Sequence, residues 1–452
     1  MSTEQAVPAD PIPPAKPSTP SARGRGRNLT VLGGSMLVDG GESSMISGLF
    51  PVIRASLGLS LGALGILTAA ARLIGVVAGP GWVWLARRTS HKAVLVIATG
   101  FWGIWAILAG LAQNFTQLVI LYTISAAGAA AGHAIVPEII GDSFDDAKRG
   151  RAVGWLYGGI AAGAAVLAPL IGQLARVEDG WRYGFFIAGG LNVVFGLLIW
   201  AFYRDPGTGA AEAQLSDLTQ EARDRESRVT WAKVRSLFGI RSYVLLLISR
   251  LLSSHLLVGA FGVVLLVDAF GFDNAVAAAV LAPFGIGYLA GTFAGGQIAD
   301  RMHARSPLRG RIAFLQVAQV LFAVFAYFGT QVGWNAIWPF LVMFGLMGFA
   351  MGLNPGVNRP LVMSVVPPEL RGAAFAVYVS VVESLGFAVY TLLAGFLAEA
   401  IGLQAVFLWL VVGLMTLNGA FLGLLYRPYA RDVTNMEAEL DRRRAHALGN
   451  DT

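Results

Sequence analysis

Twelve long apolar blocks succeed one another along this chain, and they restrict its fold more than any other feature of the sequence. Each is about 20 residues long or longer, the length that a helix needs to cross the roughly 30 Å hydrocarbon core of a bilayer. Only 13% of the 452 residues are charged, whereas soluble domains carry about 25%. The sequence therefore predicts a helical membrane protein. The predicted spans are residues 29–53, 61–86, 93–112, 115–141, 152–175, 183–203, 242–268, 274–299, 312–332, 335–366, 373–398 and 404–426.

The polar stretch 204–241 separates these blocks into two sets of six. Similar segments recur at equivalent places, because VWLARRTSHK (83–92) follows the second span and GQIADRMHAR (296–305) follows the eighth. Repeats of this kind occur in transporters whose halves enclose a substrate site near mid-membrane. The sequence therefore predicts an all-α membrane protein with two six-helix bundles related by pseudo-two-fold symmetry. Its predicted parts are a disordered cytoplasmic tail at 1–28, a bundle at 29–203, a central cytoplasmic loop at 204–241, a bundle at 242–426 and a cytoplasmic tail at 427–452.

Lysine and arginine are distributed unevenly between the two sides of the predicted spans. With the N-terminus inside, 27 of the 33 basic residues fall in the inner tails and loops, and three fall in the outer loops. Loops rich in lysine and arginine stay in the cytoplasm. We therefore expect a multi-pass protein of the cell membrane with both termini in the cytoplasm. The formal net charge of +6 then reflects contact with the bilayer rather than binding of nucleic acid.

Two carboxylates near the middle of the first span are the strongest functional signal. Asp39 and Glu42 lie roughly 16 and 21 Å from the Asn28 end, and their spacing of three residues puts them on one face of a helix. An ionised carboxylate at that depth costs at least a few kcal/mol unless it is paired, hydrated or protonated. We expect both acids to face a polar cavity, and one or both of them to bind a coupling proton. A static salt bridge between two helices is the alternative.

Two further residues are candidates for proton coupling. Glu383 lies roughly 18 Å inside the eleventh span, too deep for an idle charge. His255 lies in the seventh span, and an imidazole titrates near physiological pH. A buried histidine that only packs and forms hydrogen bonds is the alternative for His255.

Arginines at mid-depth are the first candidates for substrate binding. Arg72 in the second span lies at about the depth of Glu42, and we expect it to pair with one of these acids or to hold a substrate anion. Arg250 in the seventh span is placed to bind an anionic head group or to pair with Asp39.

The tenth span contains the segment GLNPGVNRP (352–360), in which a proline and a glycine interrupt the helix. Interrupted helices at mid-depth often line a binding site. The alternative is a kink whose free backbone groups are satisfied by neighbouring helices. The polar candidates for substrate binding in this segment are Asn354, Asn358 and Arg359.

Charged residues at the cytoplasmic ends of the spans form a third group. We expect them to pair across the helix ends as a cytoplasmic gate that stabilises the outward-open state, with solvated loop charges as the alternative. They are Arg87, Arg88, Glu138, Arg149, Asp300, Arg301 and Arg371.

The segment GQIADR (296–301) resembles the loop signature of the major facilitator superfamily, and arginine–glycine pairs recur before the fifth and eleventh spans. The first-half copy departs from the signature, with Val83 at the usual glycine and Arg87 at the usual aspartate.

A glycine–proline pattern in the fifth span (Gly159, Gly163, Pro169 and Gly172) resembles that of antiporters. Asp39, Pro80 and residues 137–144 resemble the spinster-like branch, although Ala129 stands near its usual acid in the fourth span. This narrower resemblance implies export of amphipathic substrates.

These observations predict a secondary transporter that works by alternating access, with proton-coupled export of a small amphipathic solute as the leading function. Proton-coupled uptake of an organic anion and a transport-inactive sensor or scaffold on the same fold are the alternatives. The sequence contains no phosphate loop, metal-ligand cluster, nucleophile triad or cysteine, so neither an enzyme nor a cofactor is expected. The expected partners are the substrate, protons and the lipid bilayer, and the expected state is a monomer.

Overall fold

The computed structural model describes residues 22–143, 146–205, 231–367 and 370–447, and most of these residues are helical. We number the twelve spanning helices α1 to α12 and the surface helix that follows them α13. The first bundle contains α1 Ala22–Leu57, α2 Leu61–Arg88, α3 His91–Gly110, α4 Phe115–Ser143, α5 Asp146–Gln173 and α6 Gly180–Phe202. The second contains α7 Arg241–Phe270, α8 Asn274–Arg305, α9 Gly310–Thr330, α10 Ile337–Val365, α11 Arg371–Ile401 and α12 403–425, and α13 is Tyr426–Ala447.

Eleven helices in the described part of the chain are long and apolar enough to cross a membrane. Helix α1 is the twelfth, and the two acids and several glycines near its middle make it less apolar than the others. The predicted twelve-helix architecture is therefore confirmed. Because the number of spans is even, both described ends of the chain lie on one side of the molecule. We call this side the terminal face and the other side the opposite face.

The segments outside the predicted spans differ from expectation in two places. Helix α1 begins at Ala22, so residues 22–28 are helical although the sequence predicted a disordered tail through residue 28. In the central segment, a short helix at Trp231–Ser236 and a 3₁₀ turn precede α7. Both helical segments directly precede a spanning helix, and the nucleus that the spanning helix supplies lets the helical conformation propagate into polar sequence.

Helix α13 is attached to the second bundle through the beginning of α7. No side chain near Ile240 caps that helix. Instead, the Asp432 carboxylate of α13 accepts hydrogen bonds from the backbone N–H and the hydroxyl of Ser242, at 2.9 and 2.6 Å. A carboxylate at a helix N-terminus satisfies a free N–H group and interacts favourably with the helix dipole.

Five described spanning helices depart from regular α-helical geometry within their length. Helix α3 contains a 3₁₀ turn at Phe101–Gly103, and α12 contains a π-helical stretch at Phe407–Gly413. Helix α7 is interrupted between Leu252 and Leu257, and α10 is interrupted between Gly352 and Pro355, where the sequence predicted a break. Helix α11 contains a π-helical stretch at Ala376–Glu383. Helical irregularities of this kind occur frequently at functional sites.

Three apolar clusters show how the two bundles meet. One cluster contains side chains of both bundles, including Phe50 of α1 and Phe261 of α7. The other two belong to single bundles, one around Ile135 of α4 and one around Leu361 of α10. The described residues therefore share one core toward the opposite face and form separate cores toward the terminal face. This arrangement closes the molecule at the opposite face.

Candidate functional site

Three charged side chains from α2, α7 and α11 meet where the two bundles face each other. Glu383 forms ion pairs with Arg250 of its own bundle and with Arg72 of the other bundle, whose guanidinium nitrogen lies 3.5 Å from Glu383 Oε1. The side chains of Glu383 and Arg250 are 13% and 15% exposed, whereas that of Arg72 is 41% exposed. One carboxylate therefore links two arginines across the bundle interface, and the cluster carries an excess of one positive charge.

The irregular helices place these charges. Glu383 is the last residue of the π-helical stretch in α11, and Arg250 lies just before the interruption of α7. The Tyr390 hydroxyl of α11 donates to the carbonyl of Leu251, which fixes the end of the first α7 segment beside Glu383. The Arg250 guanidinium carbon lies 5.5 Å from the ring centre of Tyr378, so α11 contacts it through both an acid and an aromatic ring.

Aromatic rings also accompany the other two arginines of the predicted substrate site. The guanidinium of Arg72 lies 5.7 Å from the ring centre of Phe387. Arg359 of α10 is exposed, and its guanidinium lies 5.9 Å from the ring centre of Phe375. Guanidinium groups beside aromatic rings form a surface that suits a planar anion, because arginine binds a carboxylate with two parallel hydrogen bonds.

Asp39 and Glu42 lie inside the first bundle, so the prediction that they face the cavity between the halves is wrong. Asp39 is 5% exposed and Glu42 is 6% exposed. Ser125 of α4 donates to Glu42 at 2.6 Å, and the Asn192 side chain of α6 lies 3.5 Å from its other carboxylate oxygen. Arg72 does pair with an acid, as predicted, but its partner is Glu383 and not an acid of α1. Hydrophobic periodicity could not predict which neighbours the acidic face of α1 would meet, because α1 carries glycines on several faces.

Three of the predicted residues in the second bundle are buried within it. His255 lies in the interruption of α7, is buried, and packs its ring 6.3 Å from that of Phe322. Asn354 donates to backbone carbonyls of α10 and accepts a hydrogen bond from Gln319 of α9. The amide of Asn354 satisfies carbonyls of the broken helix, which was the alternative considered from the sequence, and its binding role stays a prediction. Asn358 is buried as well.

The predicted gate residues do not form one network in this conformation. Asp300 pairs with Arg311 of its own bundle at 3.4 Å, and Arg371 donates to the Met363 carbonyl. Arg88 lies 4.1 Å from the ring centre of Trp84, Arg301 is exposed and Glu138 is half-buried. The side chains of Arg87 and Arg149 lie outside the described residues. Pairing of these groups across the bundles is expected only when the terminal face closes, and it remains a prediction.

Sequence reasoning missed the contacts that close the opposite face. Arg54 at the end of α1 and Asp268 at the end of α7 form a bidentate ion pair with two distances of 2.8 Å. Arg176 and Asp273 pair at 3.6 Å between the bundles. The signal was present, because Arg54 and Arg176 are two of the three basic residues in the predicted outer loops, yet the sequence did not identify their partners.

Backbone groups strengthen this closure. Glu399 of α11 accepts a hydrogen bond from the backbone N–H of Gly62 at 2.9 Å, at the first turn of α2. Asn274 of α8 donates to the Gly48 carbonyl of α1 at 2.9 Å. We call the contacts made by Arg54, Asp268, Arg176, Asp273, Glu399 and Asn274 the opposite gate.

Curated relatives with a transport function resemble this chain over most of its length. It is 24% identical over 353 residues to the probable 4-methylmuconolactone transporter of Cupriavidus pinatubonensis, covering 77% of this chain and 78% of the relative. It is also 24% identical over 378 residues to the cis,cis-muconate transport protein of Acinetobacter baylyi, covering 81% and 86%.

Solved structures show the same fold. A bacterial homologue of the human lysosomal transporter Spinster, in an inward-facing and unoccupied conformation, superposes with a TM-score of 0.75 at 18% identity, covering 93% of this chain and 99% of that one. The family model described as Major Facilitator Superfamily matches residues 32–381 and 309–448. With twelve helices in two bundles and this match, the chain belongs to the Major Facilitator Superfamily.

Proposed function

We propose that this protein is a proton-coupled symporter of small organic anions, which was the alternative considered from the sequence. The observation that carries the proposal is the Glu383 carboxylate between Arg72 and Arg250. Two arginines on different bundles provide a site for a carboxylate that joins both halves, and Glu383 occupies that site in this conformation.

The same geometry suggests how a proton is coupled to the anion. A substrate carboxylate competes with Glu383 for both guanidinium groups. When Glu383 takes up a proton it loses its charge, and the two arginines are then free to bind the substrate. One proton and one monocarboxylate therefore enter the cavity together, and the total charge of the site is unchanged. A dicarboxylate that enters with one proton also neutralises the single positive excess of the cluster. Departure of the anion returns the arginines to the deprotonated Glu383, which releases the proton.

The chemistry of the relatives supports an anionic substrate. Among the relatives that match most of this chain, one is named for 4-methylmuconolactone and one for cis,cis-muconate. Both names denote small carboxylate compounds, and their negative charge complements the positive excess of the central cluster. The charge distribution of the loops supports cytoplasmic termini, so the conformation closed at the opposite face is inward-facing.

Export of an amphipathic solute, antiport and the spinster-like branch stay predictions. The spinster homologue shares the fold at 18% identity, and this likeness does not extend to a substrate. The sensor or scaffold alternative is less well supported, because the relatives that match most of the chain are named as transporters. Proton binding by His255 has no support from geometry beyond its position in the α7 interruption.

The test is flux into proteoliposomes under an imposed acidic exterior, with cis,cis-muconate as the anion and a lysolipid as the amphipathic control. Muconate uptake that depends on the pH gradient is expected. Arg72→Gln and Arg250→Gln each remove charged hydrogen bonds worth about 1.5–3 kcal/mol, so affinity falls roughly 10- to 150-fold. Arg442→Gln, on the exposed surface of α13, is the matched control and keeps full uptake.

Glu383→Gln separates binding from coupling. This variant keeps anion binding, because the neutral amide no longer competes for the arginines, but its flux no longer responds to the pH gradient. Lysolipid export without muconate transport would overturn the proposal. So would full muconate uptake by both arginine variants.

A further inference from the structure

Arg359 of α10 forms no ion pair with an acidic side chain among the described residues. It lies roughly 9 Å along the helix from Val365, the last residue of α10, and therefore inside the span. The other two arginines of the central site both pair with Glu383, whereas Arg359 is exposed and contacts an aromatic ring. An arginine within a membrane span faces a cavity or pairs with an anion, because its charge is costly in hydrocarbon. The donors of Arg359 are therefore available to an anionic solute.

The neighbours of Arg359 show that it faces the space between the bundles and not the lipid. Arg359 interacts electrostatically with Tyr157 of α5, in the first bundle, and with Tyr288 of α8, in its own bundle. These two helices pack together at that level, because a Cβ added at Gly158 would lie 3.8 Å from the side chain of Leu289. An arginine that interacts with tyrosines of both bundles lies at the bundle interface, where a solute in the central cavity can reach it.

Helix α11 connects Arg359 to the central cluster, because it places an aromatic ring beside each of the three arginines. The pairs are Phe375 with Arg359, Tyr378 with Arg250 and Phe387 with Arg72, at 5.9, 5.5 and 5.7 Å. Phe375 and Tyr378 are three residues apart, so they share a face of α11 and lie within about 5 Å of each other along its axis. Tyr288 also interacts electrostatically with both Arg359 and Arg250. Arg359 is therefore a neighbour of the cluster, although it takes no part in the ion pairs that Glu383 forms.

We propose that Arg359 is a second anion subsite, which binds one carboxylate of a dicarboxylate whose other carboxylate lies between Arg72 and Arg250. This inference rests on the proposed function and narrows its substrate class to dicarboxylates with a planar apolar chain. A guanidinium binds a carboxylate through two parallel hydrogen bonds, and the rings of Phe375 and Tyr378 beside the two subsites suit a planar chain. A monocarboxylate leaves Arg359 without an anion, so the protein prefers the dicarboxylate.

The test compares two ligands that differ only at the second carboxylate: cis,cis-muconate and its monomethyl ester. Calorimetry at neutral pH measures the affinity of each for the purified full-length protein in detergent. We expect the wild-type protein to bind muconate more tightly than the ester. Arg359→Gln removes charged hydrogen bonds to the second carboxylate, so it should lower the affinity for muconate roughly 10- to 150-fold and leave the affinity for the ester unchanged.

The selectivity between the two ligands distinguishes a subsite from a structural role. A structural defect at Arg359 would weaken both ligands equally, and that result would overturn the proposal. Arg359→Lys keeps the charge but not the paired donors, so it should retain part of the preference for muconate. Arg442→Gln, on α13, is the control and keeps both affinities. The wild-type protein tests the subsite even where a variant fails to fold, because equal affinities for the two ligands would also overturn the proposal.

The central arginines separate this proposal from the proposed function. Arg72→Gln should weaken both ligands, because both place a carboxylate in the central cluster. Ester binding that depends on Arg72, without any preference for muconate, would overturn the second subsite and leave the proposed function standing. A preference for muconate that depends on Arg359 in a protein indifferent to Arg72→Gln and Arg250→Gln would support the subsite and overturn the central site.

Discussion

The bidentate pair of Arg54 and Asp268 makes a quantitative prediction about the opposite gate. Both side chains are rather more than a quarter exposed, at 28% and 27%, so water screens their attraction. Exposed pairs contribute about 0.2–1 kcal/mol, and the two 2.8 Å contacts place this pair near the upper end of that range. Arg54→Gln should therefore change the ratio of closed to open opposite faces by about fivefold, in favour of the open state.

The chain contains no cysteine, so spin labels can be attached without first removing native thiols. Cysteines at Ser56 and Asn335 place labels on exposed residues of the two bundles at the opposite face. Pulsed electron resonance then measures the distance distribution between the labels. We expect a larger long-distance population in Arg54→Gln than in the parent, and a return toward the parent when the charges are exchanged in Arg54→Asp with Asp268→Arg.

Salt provides a control for the electrostatic origin of this effect. At about 1 M salt the screening length falls to roughly 3 Å, so the parent protein should approach the distribution of Arg54→Gln. Unchanged distances in Arg54→Gln, at low salt and in the absence of substrate, would refute the assignment of this pair to the gate. A charge exchange that behaves like the single substitution would refute the pairing of these two residues.

Two further predictions concern close contacts of single residues. A Cβ at Gly65 would collide with the backbone carbonyl of Thr391 in the other bundle. Gly65→Ala should therefore enlarge the long-distance population of the same label pair. Gly75→Ala is the control and should leave the distances unchanged, because a Cβ at Gly75 meets only ordinary contacts within its own bundle. Asp432→Ala removes the cap from Ser242 at the start of α7 and should destabilise that end by about 1 kcal/mol. Limited proteolysis measures the effect as faster cleavage of α13, and an unchanged cleavage rate would contradict it.

The sequence predicted the candidate site in part. It identified Arg72, Arg250 and Glu383 because a charge at mid-depth in an apolar helix is costly and therefore rarely incidental. It did not identify their mutual arrangement, because the rotation of each helix about its own axis depends on packing against neighbouring helices. Glu383 is an example. It ends a π-helical stretch of α11, and its carboxylate contacts Arg72 of α2 and Arg250 of α7. No residue pattern in the sequence of α11 predicts that stretch.

Asp39 and Asn354 show that depth along a helix does not determine which neighbours a side chain meets. Both are polar residues at mid-depth, and the sequence assigned both to the central cavity. The structure buries Asp39 among α1, α4 and α6, and it uses Asn354 to satisfy the broken α10 helix. Depth along a helix can be counted from the sequence, since the rise per residue is constant at about 1.5 Å. The direction in which a side chain points cannot be counted in the same way, because a helix with small residues on several faces can pack against its neighbours through any of those faces.

The sequence by itself determined the number of spans, their approximate limits, the division into two similar halves and the depth of each buried charge. These properties follow from local quantities: the hydrophobicity of a segment, the constant rise of a helix and the cost of placing a charge in hydrocarbon. Only the tertiary structure decided which charges meet, which face is closed, and that Arg54 and Asp268 form an ion pair across that face. Arg54 and Asp268 are 214 positions apart in the chain, so their contact exists only once the two bundles have packed together.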